Sequence, residues 1–121
     1  MRVTRGAQTA SHEMDASHFT GTVTARDLGS YDVPDGGVLL VSFPAGVRTF
    51  WHSHPGGQFL YITDGNGRVG TRDGEVARVG SGDLVHAAPG EEHWHGGAAD
   101  SGVTHLAVSL GVTEWLEEVE G

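Results

Sequence analysis

The residues of this 121-residue chain best suited to chemistry lie between Gly46 and Gly65, in GVRTFWHSHPGGQFLYITDG. On an extended segment alternate side chains point to opposite faces, so Phe50, His52 and His54 share one face while Thr49, Trp51 and Ser53 share the other. Two imidazoles then converge on one point. After the turn signal Pro55-Gly56-Gly57 a second strand-like run begins at Gln58, whose amide oxygen can join the two histidines if the strands fold against each other. Further on, Glu91-Glu92-His93-Trp94-His95 offers a third imidazole at His93, with His95 two residues on and of the same parity. Three nitrogens and one oxygen make a candidate site for one divalent metal, since imidazole suits zinc, copper, iron and nickel and oxygen ligands suit manganese as well. The competing reading is a set of interior polar residues bonded to one another. Burying that many polar groups without a cation is costly, which favours the metal.

Positioning such a site requires strands, and the chain supplies them at short intervals. From Phe19 the run GTVTARDL alternates Thr22 and Thr24 with Val23 and Ala25, as a half-buried strand does. Val38 to Phe43, VLLVSF, is an apolar, β-branched run closed by Pro44-Ala45-Gly46. Gln58 to Thr63, QFLYIT, is expected to end in a tight hairpin at Asp64-Gly65-Asn66-Gly67, and Asp73-Gly74 repeats the device between RVGTR and EVARV. LVHAA follows the turn Gly80-Ser81-Gly82-Asp83, and VTHLAVS places Val103, His105, Ala107 and Ser109 on one face. Turn chemistry between short strands, with almost no helical period, predicts an all-β antiparallel sandwich or barrel. A short C-terminal helix is expected after Thr113, a good N-cap, with Glu114 in the first turn and Trp115, Leu116 and Val119 packed on the outside of the barrel. Residues 1–18 lack periodicity and read as an N-terminal arm, loose or lent as an edge strand to a neighbouring subunit, with exposed His12 and His18, leaving 19–121 as a single domain.

Composition narrows the partners. With 16 acidic against 7 basic side chains, the formal charge of -9 argues against nucleic acid and anionic membranes as partners, and a small-molecule substrate is expected. There are no cysteines, so disulfides, thiolate metal sites and cysteine nucleophiles are excluded. The first twenty residues hold no apolar run of signal-peptide type and no stretch approaches the ~20 apolar residues of a membrane span, so a soluble cytoplasmic protein is the default expectation.

Gly46, His52-Ser53-His54, Gln58 and Gly65 resemble the first cupin motif, with Gln where most cupins place Glu. Gly82-Asp83, Pro89-Gly90 and His93 resemble the second, with Glu91 in place of its glycine. The resemblance implies a cupin jelly-roll β-barrel holding one divalent metal. The runs FTGTV, WHSHPGGQ, PGEEHWHG and VTHLAV are similar, more closely, to the small bacterial cupins that include manganese-dependent hydroxynitrile (mandelonitrile) lyases. That resemblance implies His52, His54, Gln58 and His93 as metal ligands, manganese as the favoured ion with iron, zinc or nickel as alternatives, and His105 and His95 in or beside the pocket. It also implies a homodimer and a pocket lined by the 38–43 strand, where Val41 and Phe43 lie, although the chain departs from the pattern there and around Phe50. Phe50, which shares the face of the ligands, is expected to line the cavity as well.

A neutral Gln ligand leaves the ion its full charge and makes it a stronger Lewis acid toward cyanide, an alkoxide, a carboxylate or bound hydroxide. His105 or His95, with an unperturbed pKa near neutrality, is the candidate acid/base. The function expected is therefore a metal-dependent lyase acting on a small polar molecule such as a cyanohydrin. A metal-dependent dioxygenase and a non-catalytic small-molecule-binding cupin are the alternatives. The missing carboxylate at position 58 counts against the dioxygenase, whose familiar iron site is two histidines and a carboxylate.

Overall fold

A computed structural model describes all residues, Met1–Gly121. The chain folds into ten β-strands: β1 (His12–Glu13), β2 (Thr24–Gly29), β3 (Gly37–Phe43), β4 (His52–Ser53), β5 (Gln58–Thr71), β6 (Val76–Gly80), β7 (Leu84–Ala87), β8 (His93–Gly97), β9 (Val103–Ser109) and β10 (Glu114–Trp115). All pairings are antiparallel, in the order β1-β2-β3-β9-β5-β8-β4-β10, with β6 and β7 also paired to β5. The sheet curls because β5 serves both halves: its first part pairs with β7 and β9, its second with β6 and β8. This is the expected all-β barrel. No helix is long and apolar enough to cross a membrane.

The period-two patterns read from the sequence face inward as they must. Ala25, Val41, Phe43, Leu60, Ile62, Val103 and Ala107, with Phe19 and Val23, form one buried cluster inside the curl. Truncating a residue such as Leu60 to Ala is expected to cost about 2–5 kcal/mol, the range for emptying a close-packed site.

Two local expectations fail for identifiable reasons. The hairpin at Asp64-Gly65-Asn66-Gly67 does not form; β5 runs through it with a register shift between Ile62 and Asp64. Gly65, at φ +76°, bends the strand, and a Cβ there would lie 2.1 Å from the Gly102 carbonyl oxygen. The glycine marks a bend and a close backbone approach rather than a reversal. The short C-terminal helix is absent as well: Glu114 and Trp115 form β10, paired to Ser53 and His52 of β4. Leu116 N–H donates to the Trp51 carbonyl and Trp51 N–H donates to the Glu117 carbonyl, so tertiary pairing outweighs the weak propensity of a six-residue helix. Exposed Arg72 ties this strap to the barrel, reaching Glu117 at 2.8 and 3.0 Å and Glu92 at 2.8 Å.

The histidine segment is not one continuous strand. Thr49 bridges to Phe19, the chain bends at Trp51, and only His52–Ser53 pair regularly. The bend resets the alternation, which decides what enters the site.

Candidate metal centre

β4 brings in His52, β8 His93 and His95, β5 Gln58 and β9 His105, while His54 sits just after β4. His52 and His93 are directly opposed in the β4–β8 pairing, and their rings lie 4.3 Å apart. The His54 ring is 5.1 Å from that of His52 and 5.6 Å from that of His93. Gln58 Oε1 is 2.9 Å from His93 Nε2. His95 lies 5.1 Å from His52 by ring centre, and His105 Nε2 is 3.2 Å from His95 Nδ1. All six expected polar residues are thus brought to one place, each at most 6% exposed.

The nitrogens of His52, His93 and His95 lie within 4.8 Å of one another, and this triad could hold a metal ion. Burial favours neutral rings. It pushes His52 down to about 3, helped by neighbouring His93, and takes His54 and His105 down to about 4. His93 and His95 are lowered by the same cause. Neutral imidazole is the form that ligates a metal.

The hydrogen bonds identify which nitrogen each ring offers. His52 Nδ1–H donates to the Phe50 carbonyl at 2.9 Å and His93 Nδ1–H to the Glu91 carbonyl at 2.9 Å, so each ring keeps its Nε2 lone pair. His93 Nε2 and Gln58 Oε1 then face each other as two acceptors at 2.9 Å with no proton between them. That contact is repulsive unless a cation is shared. His54 Nε2, His95 Nε2 and His105 Nδ1 are buried without a partner, and each such group costs about 1–3 kcal/mol. The donor set therefore fits a divalent ion.

A cavity of about 70 Å³ opens beside these groups, room for several waters at ~10–15 Å³ each. Its lining mixes apolar Met14, Phe19, Leu39, Val41, Phe43, Ala107 and Trp115 with histidine, Gln, Ser and Thr side chains, and includes no Lys, Arg, Asp or Glu. Val41 and Phe43 line it as expected. Phe50 does not: the bend at Trp51 turns Thr49 inward in its place. Trp115, expected on the barrel exterior, forms a wall of the cavity, stacked on His18 at 4.3 Å and tilted against His52 at 4.7 Å. His18 is accordingly half-buried, whereas His12 is exposed as expected. His86 lies outside the site, exposed and stacked on Phe59. Sequence reasoning missed Met14, Ser109, Thr113 and Trp115 as lining residues; the common parity of Thr113 and Trp115 is the signal that an extended reading of the C-terminus would have used.

Comparison with known proteins agrees with this architecture. Residues 39–109 match the model of the Cupin domain family. The chain is 38% identical over 126 residues to an (R)-mandelonitrile lyase of Granulicella tundricola, covering 98% of this chain and 95% of that protein. A cupin-like protein of Thermotoga maritima superposes with a TM-score of 0.83 at 37% identity, over 89% of this chain and 86% of the other. An acetylacetone dioxygenase of Acinetobacter johnsonii superposes with a TM-score of 0.73 at 15% identity, over 97% and 78%, a likeness of fold alone. On its strand order, its histidine site and these matches, the chain belongs to the cupin family.

Proposed function

We propose that this cupin is a metal-dependent lyase that cleaves a small neutral cyanohydrin into an aldehyde or ketone and hydrogen cyanide. The observation that carries the reading is a cavity lined by apolar side chains together with uncharged histidines, an amide and hydroxyl groups, with no Lys, Arg, Asp or Glu in its lining. Such a lining has no anion for an ammonium group and no side-chain cation, so the one charge a substrate would meet is that of the bound ion. An uncharged molecule with one polar end and one hydrocarbon end fits it. The near full-length likeness to a mandelonitrile lyase supports the same reading.

His52, His54, Gln58 and His93 would hold the ion, manganese first and iron, zinc or nickel as ions the same donors accept. When bound, the ion supplies Lewis-acid polarisation of a substrate oxygen, undiminished by any ligand charge. The proton work belongs to His95 and His105. Because both rings are neutral and share one hydrogen bond at 3.2 Å, the pair always presents one free lone pair and one free N–H, at His105 Nδ1 and His95 Nε2 in one order or the other. The lone pair takes the cyanohydrin hydroxyl proton as the carbon–carbon bond breaks. The oxygen's electrons close the carbonyl, the bonding pair leaves with cyanide, and a proton from the histidine pair neutralises it. Apolar walls at Phe43, Val41 and Trp115 hold the substituent away from water.

The test is release of aldehyde from an aromatic cyanohydrin by manganese-loaded protein, with oxygen consumption followed in parallel. Cleavage that falls at least about a hundredfold in His105→Ala, within the range for general acid–base groups, supports the reading. Oxygen uptake by the iron-loaded protein without cyanohydrin cleavage would replace it with the dioxygenase.

A further inference from the structure

Of the four proposed ligands, two are oriented by the backbone and two are not. His52 and His93 each donate Nδ1–H to the carbonyl two residues earlier, at Phe50 and Glu91, contacts that follow from the local chain path. His54 and Gln58 depend on side chains instead. Thr113 Oγ1 lies 3.2 Å from His54 Nδ1, and Gln58 Nε2 donates to Ser109 Oγ at 3.1 Å. Both hydroxyls come from one stretch, the end of β9 and the segment leading into β10, and both line the cavity.

Each contact bears on an ambiguity that affects the site. A neutral imidazole has two tautomers, and His54 can offer Nε2 to an ion only if its proton sits on Nδ1. Where the Thr113 hydroxyl accepts from Nδ1–H, the proton is held there and the buried, unpartnered Nε2 keeps its lone pair for an ion. The amide of Gln58 can turn end for end. With Nε2 given to Ser109, Oε1 is directed at His93 Nε2, 2.9 Å away; turned over, the NH2 would donate to that nitrogen and block both ligands at once.

We infer that Ser109 and Thr113 are positioning residues, whose hydroxyls fix the amide of Gln58 and the tautomer of His54 so that both present ligand atoms to the ion. The inference rests on the four-ligand reading above. It makes the segment after β9 a determinant of metal affinity without contact to the ion. Orienting partners of this kind are worth about ten- to a hundredfold in affinity.

Two measurements test it. Long-range ¹H–¹⁵N spectra of the metal-free protein report the His54 tautomer without reference to any metal: an Nδ1–H ring in the wild type that shifts toward Nε2–H in Thr113→Val, and stays put in Thr113→Ser, is expected. An Nε2–H ring in the wild type, or no change in Thr113→Val, overturns the role of Thr113. Calorimetric titration with Mn²⁺ is expected to show affinity about ten- to a hundredfold weaker in Thr113→Val and in Ser109→Ala, with Thr113→Ser close to wild type. Wild-type affinity in Ser109→Ala and Thr113→Val, with binding lost in His93→Ala, overturns the inference and leaves the metal site standing. Absence of binding in the wild type overturns both. Thermal melts of each variant separate weakened binding from lost folding.

Discussion

Burial of His105 makes the metal-free protein acid-sensitive in a window that can be calculated. The residue is 1% exposed, packed against Phe43 at 5.5 Å and hydrogen-bonded to His95, and burial lowers its pKa from 6.5 to about 4. In the unfolded chain the imidazole recovers its ordinary value. Below pH 6.5 the unfolded state therefore binds a proton that the folded state refuses, and stability falls as pH falls, levelling off only below about 4, where both states are protonated. The full contribution of this one group is about 3 kcal/mol, of which about 2 kcal/mol is lost between pH 7 and pH 5. Against a total of roughly 5–15 kcal/mol for a domain this is a large fraction. With a urea m-value of about 1–3 kcal/mol/M the midpoint should move by about 1 M. The assay is urea denaturation of chelator-treated wild type and His105→Gln at pH 7 and pH 5. The variant removes the titrating group and should lose about 2 kcal/mol of the pH dependence, whatever its absolute stability. Equal pH dependence in the two proteins would refute the assignment of a buried neutral His105.

Gln58→Glu should bind Mn²⁺ at least about tenfold more tightly, by adding a ligand charge, while lowering cyanohydrin cleavage; titration calorimetry and aldehyde release measure the two. Trp115→Ala should open the cavity wall and raise kcat/KM for a naphthyl over a phenyl cyanohydrin by about tenfold or more, since relief of overpacking is worth about 1–3 kcal/mol. The exposed Phe59, Tyr61 and Leu84 on the outer face of β5 and β7, at 39%, 46% and 62%, support the homodimer reading. Light scattering should give a dimer mass for the wild type and a monomer mass for Tyr61→Glu, and a monomeric wild type would refute it.

How much of this was legible in the sequence differs from residue to residue. Strand alternation grouped His52 with His54 and offered His93 as a third imidazole, while its place directly opposite His52 comes from the β4–β8 pairing. The inner faces of β3, β5 and β9 follow from their period-two apolar pattern. Phe50 misled because alternation was carried across a bend at Trp51 that only the partners of Thr49 and Phe50 reveal: Thr49 N–H donates to the His95 carbonyl and Phe50 N–H to the His18 carbonyl. Gly65 beside Asn66-Gly67 has the local chemistry of a hairpin, and its bend comes from the distant Gly102 backbone. Thr113 followed by Glu114 has the pattern of a helix start. Its conformation is set by β4, some sixty residues earlier, and so the wall made by Trp115 and the hydroxyl held against His54 were invisible to local reading. Non-local pairing accounts for each of these misses.

The central claim is a single divalent ion held by His52, His54, Gln58 and His93, with His95 kept for proton transfer. Elemental analysis of tag-free wild type and of His54→Ala, His93→Ala and His95→Ala tests it most directly. Close to one ion per chain in the wild type and in His95→Ala, with loss in His93→Ala and His54→Ala, is the predicted result. A folded wild type that takes up no manganese, iron, zinc or nickel would contradict the account, as would metal lost from His95→Ala and retained in His54→Ala.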